Sequence, residues 1–115
     1  MSEAALQSRV IYRAKKLGWK VAHAGKGWVG DRETGKGQFV TPMSPGWPDL
    51  TLAKAGHRLL FIENKREEEV VEPEQWEWLV LLNSCGARAI VVRPSDLREK
   101  RVDTVLRVGS PLEDG

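Results

Sequence analysis

The chain has 115 residues, which is enough for one domain that buries about two-thirds of its unfolded surface without disulfides or a structural metal. Its formal net charge of +2 neither requires nor excludes a polyanionic partner. One cysteine and two widely separated histidines exclude a four-ligand zinc site of the usual kind, and no apolar run approaches the ~18 residues of a membrane span. We therefore expect no membrane association and a cytoplasmic location.

The first predicted element is a helix that begins after Ser2, a good N-cap residue, and ends near Gly18. Apolar residues recur along it at helical spacing: Leu6, Val10, Ala14 and Leu17. This stripe is expected to face a core.

Polar side chains flank the stripe in two places. Four cations share one face beside it: Arg9, Arg13, Lys16 and Lys20. We interpret this face either as a phosphate-binding surface or as an ordinary solvated helix face. Glu3 and Gln7 project close to the stripe, where an acid is costly unless it has a partner or a metal. The alternative for these two residues is a frayed, solvated helix terminus.

Residues 25–47 form a long stretch that contains Gly and Pro and is too poor in apolar residues for a second core, so we predict a long loop that faces the substrate. Its cations and tryptophans are expected to contact nucleic acid: Lys26, Arg32, Lys36 and Trp28 or Trp47. The alternative is a mobile loop with Trp47 packed on the core.

The eight residues from Gly30 to Gly37 nearly match the sequence motif of a phosphate-binding P-loop. Gly37 replaces the required hydroxyl residue, and three prolines in the next eleven residues prevent the helix that would follow. We therefore expect no nucleotide cofactor.

The remaining pattern predicts strands at residues 19–24, 49–53, 58–65 and 88–93, with a helix from Pro73 to Gly86 before the last. The order αβββαβ predicts a mixed sheet flanked by helices, in which the last two of these strands are parallel. A short helix near Ser95–Lys100 and an edge strand near Val102–Val108 are expected in the tail. We interpret residues 1–115 as one domain with a core at about residues 3–94 and a C-terminal extension.

We make two further predictions, one for the acids before the second predicted helix and one for the tryptophans within it. The acids Glu67, Glu68, Glu69 and Glu72 are interpreted as a solvated linker. Trp76 and Trp78 lie two positions apart on a helix and cannot both face one core. One of them is expected to meet a partner subunit or to cover surface.

The second and third strands carry the candidate chemistry. If they pair as a hairpin about residues 54–57, residues whose numbers sum to about 112 face one another, so Asp49 lies opposite Glu63. Opposed Cβ atoms are ~5 Å apart, which lets two carboxylates share one hard cation. Lys65 lies on the same face as Glu63. Two acids and a lysine suggest metal-assisted phosphodiester hydrolysis.

These residues resemble the PD-(D/E)xK nucleases and, within them, the VRR-NUC (virus-type replication-repair nuclease) branch. The motifs that carry the resemblance are Glu3-x-x-x-Gln7, Gly18-Trp19, Gly46-x-Pro48-Asp49-Leu50, Ile62-Glu63-x-Lys65, Gln75, and Gly86 before Ala89-Ile90-Val91-Val92-Arg93-Pro94. They cover roughly residues 3–94.

The resemblance implies a restriction-endonuclease-like fold and a DNA endonuclease that depends on Mg²⁺ or Mn²⁺. Asp49, Glu63 and the Asn64 carbonyl would bind the metal, Lys65 would assist the nucleophile, and the site would be completed by Glu3, Gln7 and Gln75. Gln75 has an alternative role in satisfying exposed amides of the helix it begins.

Small stand-alone members of the resembled branch are associated with viruses and with branched DNA such as four-way (Holliday) junctions. The resemblance therefore implies a bacterial or phage-infected cell as the setting and a homodimer as the working form, since a two-fold junction needs two matched cuts. The alternatives are a non-catalytic nucleic-acid-binding module of the same fold or a protein-interaction domain.

Overall fold

The computed structural model describes residues 1–24, 27–31, 35–40 and 43–108. In residues 27–31, 36 and 38–40 the description covers the backbone alone. Within these ranges, none of the helices has the length and apolar character needed to cross a membrane.

The chain folds into four helices and six strands within the described residues. The helices are α1 (Glu3–Lys16), α2 (Pro73–Ser84), α3 (Pro94–Arg98) and α4 (Arg101–Val108). The strands are β1 (Lys20–His23), β2 (Gly27–Asp31), β3 (Lys36–Val40), β4 (Leu50–Ala53), β5 (Leu60–Asn64) and β6 (Arg88–Val92).

Helix α1 begins and ends where the sequence predicts. The Ser2 hydroxyl oxygen accepts a hydrogen bond from the Ala5 amide at 3.1 Å, which satisfies one of the unpaired amides of the first turn. After the helix, Gly18 adopts a φ of 90°, a left-handed conformation that glycine adopts without steric cost.

The main sheet has four strands in the order β1-β4-β5-β6. β4 pairs antiparallel with both β1 and β5, and β6 pairs parallel with β5. Leu50 lies opposite Ile62, so the numbers of paired residues in the β4–β5 hairpin sum to 112. The predicted restriction-endonuclease-like mixed sheet, flanked by helices, is confirmed.

The sheet has an apolar cluster on each face. On one face, α1, α3 and α4 cover a cluster that includes Leu6, Leu52 and Ile62. On the other face, α2 covers a smaller cluster that contains Phe61 and Leu79. All five residues of β5 are buried, as expected for a central strand with both faces covered.

Two predicted elements are wrong. The tail holds helix α4 instead of an edge strand at residues 102–108, because Val102, Val105 and Leu106 recur at helical spacing and enter the α1-side cluster. Residues 25–47 include the antiparallel β2–β3 pair instead of only a loop. β3 follows Gly35 where a P-loop would need a helix, which agrees with the rejection of that motif.

Candidate active site

Asp49 stands immediately before β4 and is held by the backbone of the two neighbouring strands. Its side-chain oxygen Oδ2 accepts a hydrogen bond from the Asn64 amide at 2.8 Å. Its carbonyl accepts one from the Ala24 amide at 3.0 Å. Burial raises the pKa of Asp49, while the Asn64 amide and the Lys65 ammonium partly oppose that rise. The carboxylate is therefore fixed at the end of the hairpin, where the predicted register puts it.

Glu63 lies in β5 and is 3% exposed. Its Oε1 accepts a hydrogen bond from Gln75 Nε2 at 2.9 Å. Its Oε2 is buried and has no hydrogen-bond partner among the described residues. Burial, and next the negative charge of Asp49, raise the pKa of Glu63 to about 8. A buried carboxylate oxygen beside a second acid is a donor set that suits a hard divalent cation.

Lys65 follows β5 directly and is 4% exposed. Its amide donates to the Val92 carbonyl at 2.9 Å and so continues the β5–β6 pairing by one residue. Its Nζ lies 3.6 Å from Glu69 Oε2. The predicted trio of Asp49, Glu63 and Lys65 therefore converges at one end of the sheet, with a buried ammonium beside the two acids.

The Gln75 side chain contacts both the candidate site and the start of α2. Its Nε2 donates to Glu63, and its Oε1 accepts from the Glu72 amide at 2.8 Å at the start of α2. The same amide side chain therefore caps α2 and orients Glu63.

Glu69 also lies at this site. This position corrects the interpretation of Glu69 as part of a solvated linker. Its amide donates to the Arg66 carbonyl at 3.1 Å, and this turn returns Glu69 towards Lys65. Burial, and next a hydrogen bond shared with Glu69, raise the pKa of Glu3. The Arg66 amide, first, and the Glu3 carboxyl lower the pKa of Glu69. The i,i+4 spacing of Lys65 and Glu69 is the sequence signal that would have found it.

Glu67 in the same linker is also not simply solvated, whereas Glu68 is exposed as expected. Glu67 accepts hydrogen bonds from Ser95 and Arg98 at 3.1 Å each. The Ser95 hydroxyl, first, and the Arg98 guanidinium lower the pKa of Glu67. These contacts turn Glu67 towards α3.

Gln7 lies beside the site without joining the carboxylates. Its Oε1 accepts a weak hydrogen bond from Asn64 Nδ2 at 3.4 Å. Asn64 Oδ1 is buried without a partner among the described side chains. Glu3 and Gln7 therefore flank the end of β5, and the alternative of a frayed terminus does not hold, because the helix begins with a cap at Ser2.

The predicted nucleic-acid contacts have different outcomes. Arg9, Arg13 and Lys16 line a groove beside α4, and Lys20 is exposed on β1 outside that groove. Lys26 and Arg32 lie outside the described residues, and only the backbone of Trp28 and Lys36 is described, in β2 and β3. Whether these four contact nucleic acid stays a prediction.

The tryptophans separate into packed and exposed ones. Trp47 packs edge-on against Phe61 and Trp78, with ring centroids 5.5 and 4.9 Å apart respectively. The alternative that placed Trp47 on the core is therefore the observed one. Trp78 Nε1 donates to the Pro45 carbonyl at 3.1 Å, whereas Trp76 is 52% exposed. As expected, these two helix neighbours face different surroundings.

Within the described ranges, no three His, Cys, Asp or Glu side chains converge closely enough to form a metal site by themselves. Asp49 and Glu63 are thus a carboxylate pair with open coordination, a pattern that Mg²⁺ often accepts because it keeps several waters. The Asn64 carbonyl and Glu3 stay predicted ligands.

Fold and site together define the class: a restriction-endonuclease-like α/β domain with an acid pair and a lysine at one end of a central hairpin. The family model described as the VRR-NUC domain matches residues 38–96, just over half of the chain. The chain therefore belongs to the VRR-NUC domain family, which implies a nuclease-type function. The matched segment contains Asp49, Glu63, Lys65 and Gln75, and ends before α4. Comparisons with curated proteins and with solved structures found no match.

Proposed function

We propose that this protein is a divalent-metal-dependent, structure-selective DNA endonuclease that acts on branched DNA such as four-way junctions. One observation carries the proposal. A buried Glu63 oxygen without a partner among the described residues lies on the strand opposite Asp49, at the end of the sheet where Lys65 is also buried. Leaving such an oxygen unpaired costs stability, so the arrangement is best explained by a ligand that pairs it.

The residues fit a Mg²⁺ or Mn²⁺ ion. Asp49 and Glu63 would hold it as carboxylate ligands, joined by the Asn64 carbonyl and by Glu3. When bound, the ion would supply positive charge at the scissile phosphate and make nearby water more acidic. Hard oxygen donors are the ligands that both cations prefer.

The protein side chains then have separate roles. Lys65 orients the attacking water and offsets charge on the phosphate, because its ammonium is buried within the acid cluster. Gln75 fixes the orientation of Glu63 through the 2.9 Å hydrogen bond. Glu69 holds the Lys65 ammonium, from which it is 3.6 Å distant.

The branched substrate and the dimer are parts of the same proposal. A two-fold junction needs two symmetric cuts, which a homodimer with two identical sites supplies. The apolar side chains exposed on α2 support such an assembly: Trp76, Val80 and Leu81.

The test is cleavage of defined DNA. Purified protein is incubated with linear, flapped and four-way-junction DNA in Mg²⁺, Mn²⁺ or chelator, and the cuts are mapped. We expect paired cuts near the branch point of the junction, with either metal and not with chelator. Cleavage in chelator, or no cleavage of any substrate, would contradict the proposal.

A non-catalytic nucleic-acid-binding module of the same fold is the second candidate. Calorimetry with Mn²⁺ separates the two, because a nuclease should bind the ion through its carboxylates and lose that heat in the Asp49→Asn variant. A binding module should bind DNA and show no carboxylate-dependent heat.

A further inference from the structure

A groove of about 630 Å³ runs between α1 and α4. Its polar and aromatic lining includes Arg9, Tyr12, Arg13, Lys16, Asp103 and Arg107. None of these residues belongs to the site described above, and the family match ends before α4. The groove therefore needs its own explanation.

The charge of the groove favours an extended anion. Four cations line it against one acid, and Arg9, Lys16 and Arg107 are exposed. Arg9 and Lys16 are about 10 Å apart along the helix axis at 1.5 Å per residue. Cations spread over that length suit an extended anion better than a single phosphate, because the backbone of a nucleic acid carries charges at regular intervals.

Asp103, the acid in the groove, forms an ion pair with Arg13. Arg13 Nη1 lies 2.7 and 2.8 Å from the two carboxylate oxygens of Asp103. Both side chains are partly exposed, so the ion pair is of the weak, solvent-screened kind. A phosphate can therefore compete with Asp103 for Arg13.

The groove lies apart from the acids of the candidate active site. At 100° per residue, Arg9 and Arg13 lie on one side of the apolar stripe of α1, and Glu3 and Gln7 lie on the other. Their contacts agree, since Gln7 meets Asn64 of β5 and Arg13 meets Asp103 of α4. A backbone bound in the groove need not pass through the acid cluster.

We propose that the α1–α4 groove binds the sugar-phosphate backbone of nucleic acid apart from the catalytic acids, with Asp103 as the counter-ion that phosphate displaces from Arg13. This deepens the proposed function, on which it rests, by adding a second contact for a substrate that has more than one arm. Tyr12, which is 67% exposed, offers an aromatic wall to the sugar or base.

The test is DNA binding in chelator, where cleavage is not expected. Fluorescence anisotropy measures the dissociation constant for a labelled four-way junction over a series of salt concentrations. Each phosphate contact contributes about 0.9 to the slope of log affinity against log salt concentration. The Arg9→Gln/Lys16→Gln double variant should lower that slope by nearly two units and weaken binding at least tenfold at low salt.

Two further variants make the test specific. Lys15 is exposed on the same helix outside the groove, so Lys15→Gln should leave the slope within about half a unit of wild type. Asp103→Asn should tighten binding about threefold or more, because Arg13 then meets phosphate without a competing carboxylate. Thermal unfolding of each variant checks that it is folded.

The outcomes separate this inference from the proposed function. If Lys15→Gln lowers the slope by as much per charge removed as the Arg9→Gln/Lys16→Gln double variant, net charge explains the binding and the groove site is overturned. Equal DNA binding by all folded variants also overturns it. The basic groove then suits an acidic protein segment instead. If groove variants lose affinity while wild type fails to cleave in Mg²⁺, the groove stands and the nuclease proposal falls.

Discussion

Glu63 is buried in a place where its negative charge is poorly tolerated. The carboxylate accepts a hydrogen bond from Gln75, its Oε2 has no partner within the geometric limits of a hydrogen bond among the described residues, and the charge of Asp49 outweighs the weak interaction of the Asp49 amide with Glu63. Sites that bind cations commonly conflict with stability in this way, because the ligands repel one another until the ion is present.

This conflict predicts how the stability of the metal-free protein depends on pH. The folded pKa of Glu63 is about 8 against an ordinary value of 4.5, so folding favours the protonated form. The stabilising contribution is therefore complete below about pH 4.5 and is lost as the pH rises to about 8. Urea unfolding in chelator should show a lower free energy of unfolding at pH 8.5 than at pH 5.5, by about 3 kcal/mol.

A matched variant shows whether Glu63 causes this pH dependence of the free energy of unfolding. Glu63→Gln cannot titrate, so its free energy of unfolding should vary much less over the same pH range. The lowered pKa of Glu69 acts with the opposite sign and only under more acidic conditions, because its stabilising contribution is lost as the pH falls. Equal slopes in wild type and Glu63→Gln would show that Glu63 is not the titrating group.

At the scale of elements, the hairpin was predictable and its surroundings only partly so. The β4–β5 register followed from the turn position and the two-residue strand period, which together place Asp49 opposite Glu63. Helix α4 was not predicted, because its valines favour a strand locally. The helical spacing of Val102, Val105 and Leu106 decides the structure together with the tertiary cluster that these residues join. Glu69 was missed because a turn, not a periodic element, returns it to Lys65.

The loop before β4 packs closely against α2 at Gly46. Gly46 has a φ of 85°, and a Cβ added there would lie 2.6 Å from the carbonyl carbon and oxygen of Glu74 in α2. Gly46→Ala should therefore lower the free energy of unfolding by about 3 kcal/mol, through both backbone strain and steric overlap. Chemical denaturation measures this change.

Gly56 provides the control for this prediction. It has a φ of 79° but no described atom within 4 Å of an added Cβ. Gly56→Ala should therefore cost only the strain of the left-handed conformation, about 1 kcal/mol. If the two variants lose equal stability, the close approach of residue 46 to α2 adds nothing to the cost of the left-handed conformation.

At the scale of the whole molecule, the surfaces on the two sides of the sheet differ in character. The α1–α4 side carries the basic groove, and the outer face of α2 exposes Trp76 at 52% and Val80 at 65%. A helix that is apolar on nearly every side is usually buried, so the outer face of α2 is the surface we expect between subunits.

This expectation is tested by the mass of the protein in solution. Light scattering should give the mass of a dimer for wild type and of a monomer for Trp76→Glu/Val80→Glu, because charge on this face opposes apolar burial. Val70→Glu changes an equally exposed apolar residue outside α2 and should leave the dimer intact. A wild-type monomer, with and without junction DNA, would make symmetric resolution by a dimer untenable.

The central claim is that Asp49, Glu63 and Lys65 form a metal-dependent nuclease site. Single-turnover cleavage of a labelled four-way junction in Mg²⁺ tests it most directly, using wild type, Asp49→Asn, Lys65→Ala and the exposed-residue control Glu68→Gln. We predict a rate loss of at least ~100-fold for Asp49→Asn and Lys65→Ala, with both variants folded, and little change for Glu68→Gln. Wild-type cleavage rates in a folded Asp49→Asn or Lys65→Ala variant would contradict the account.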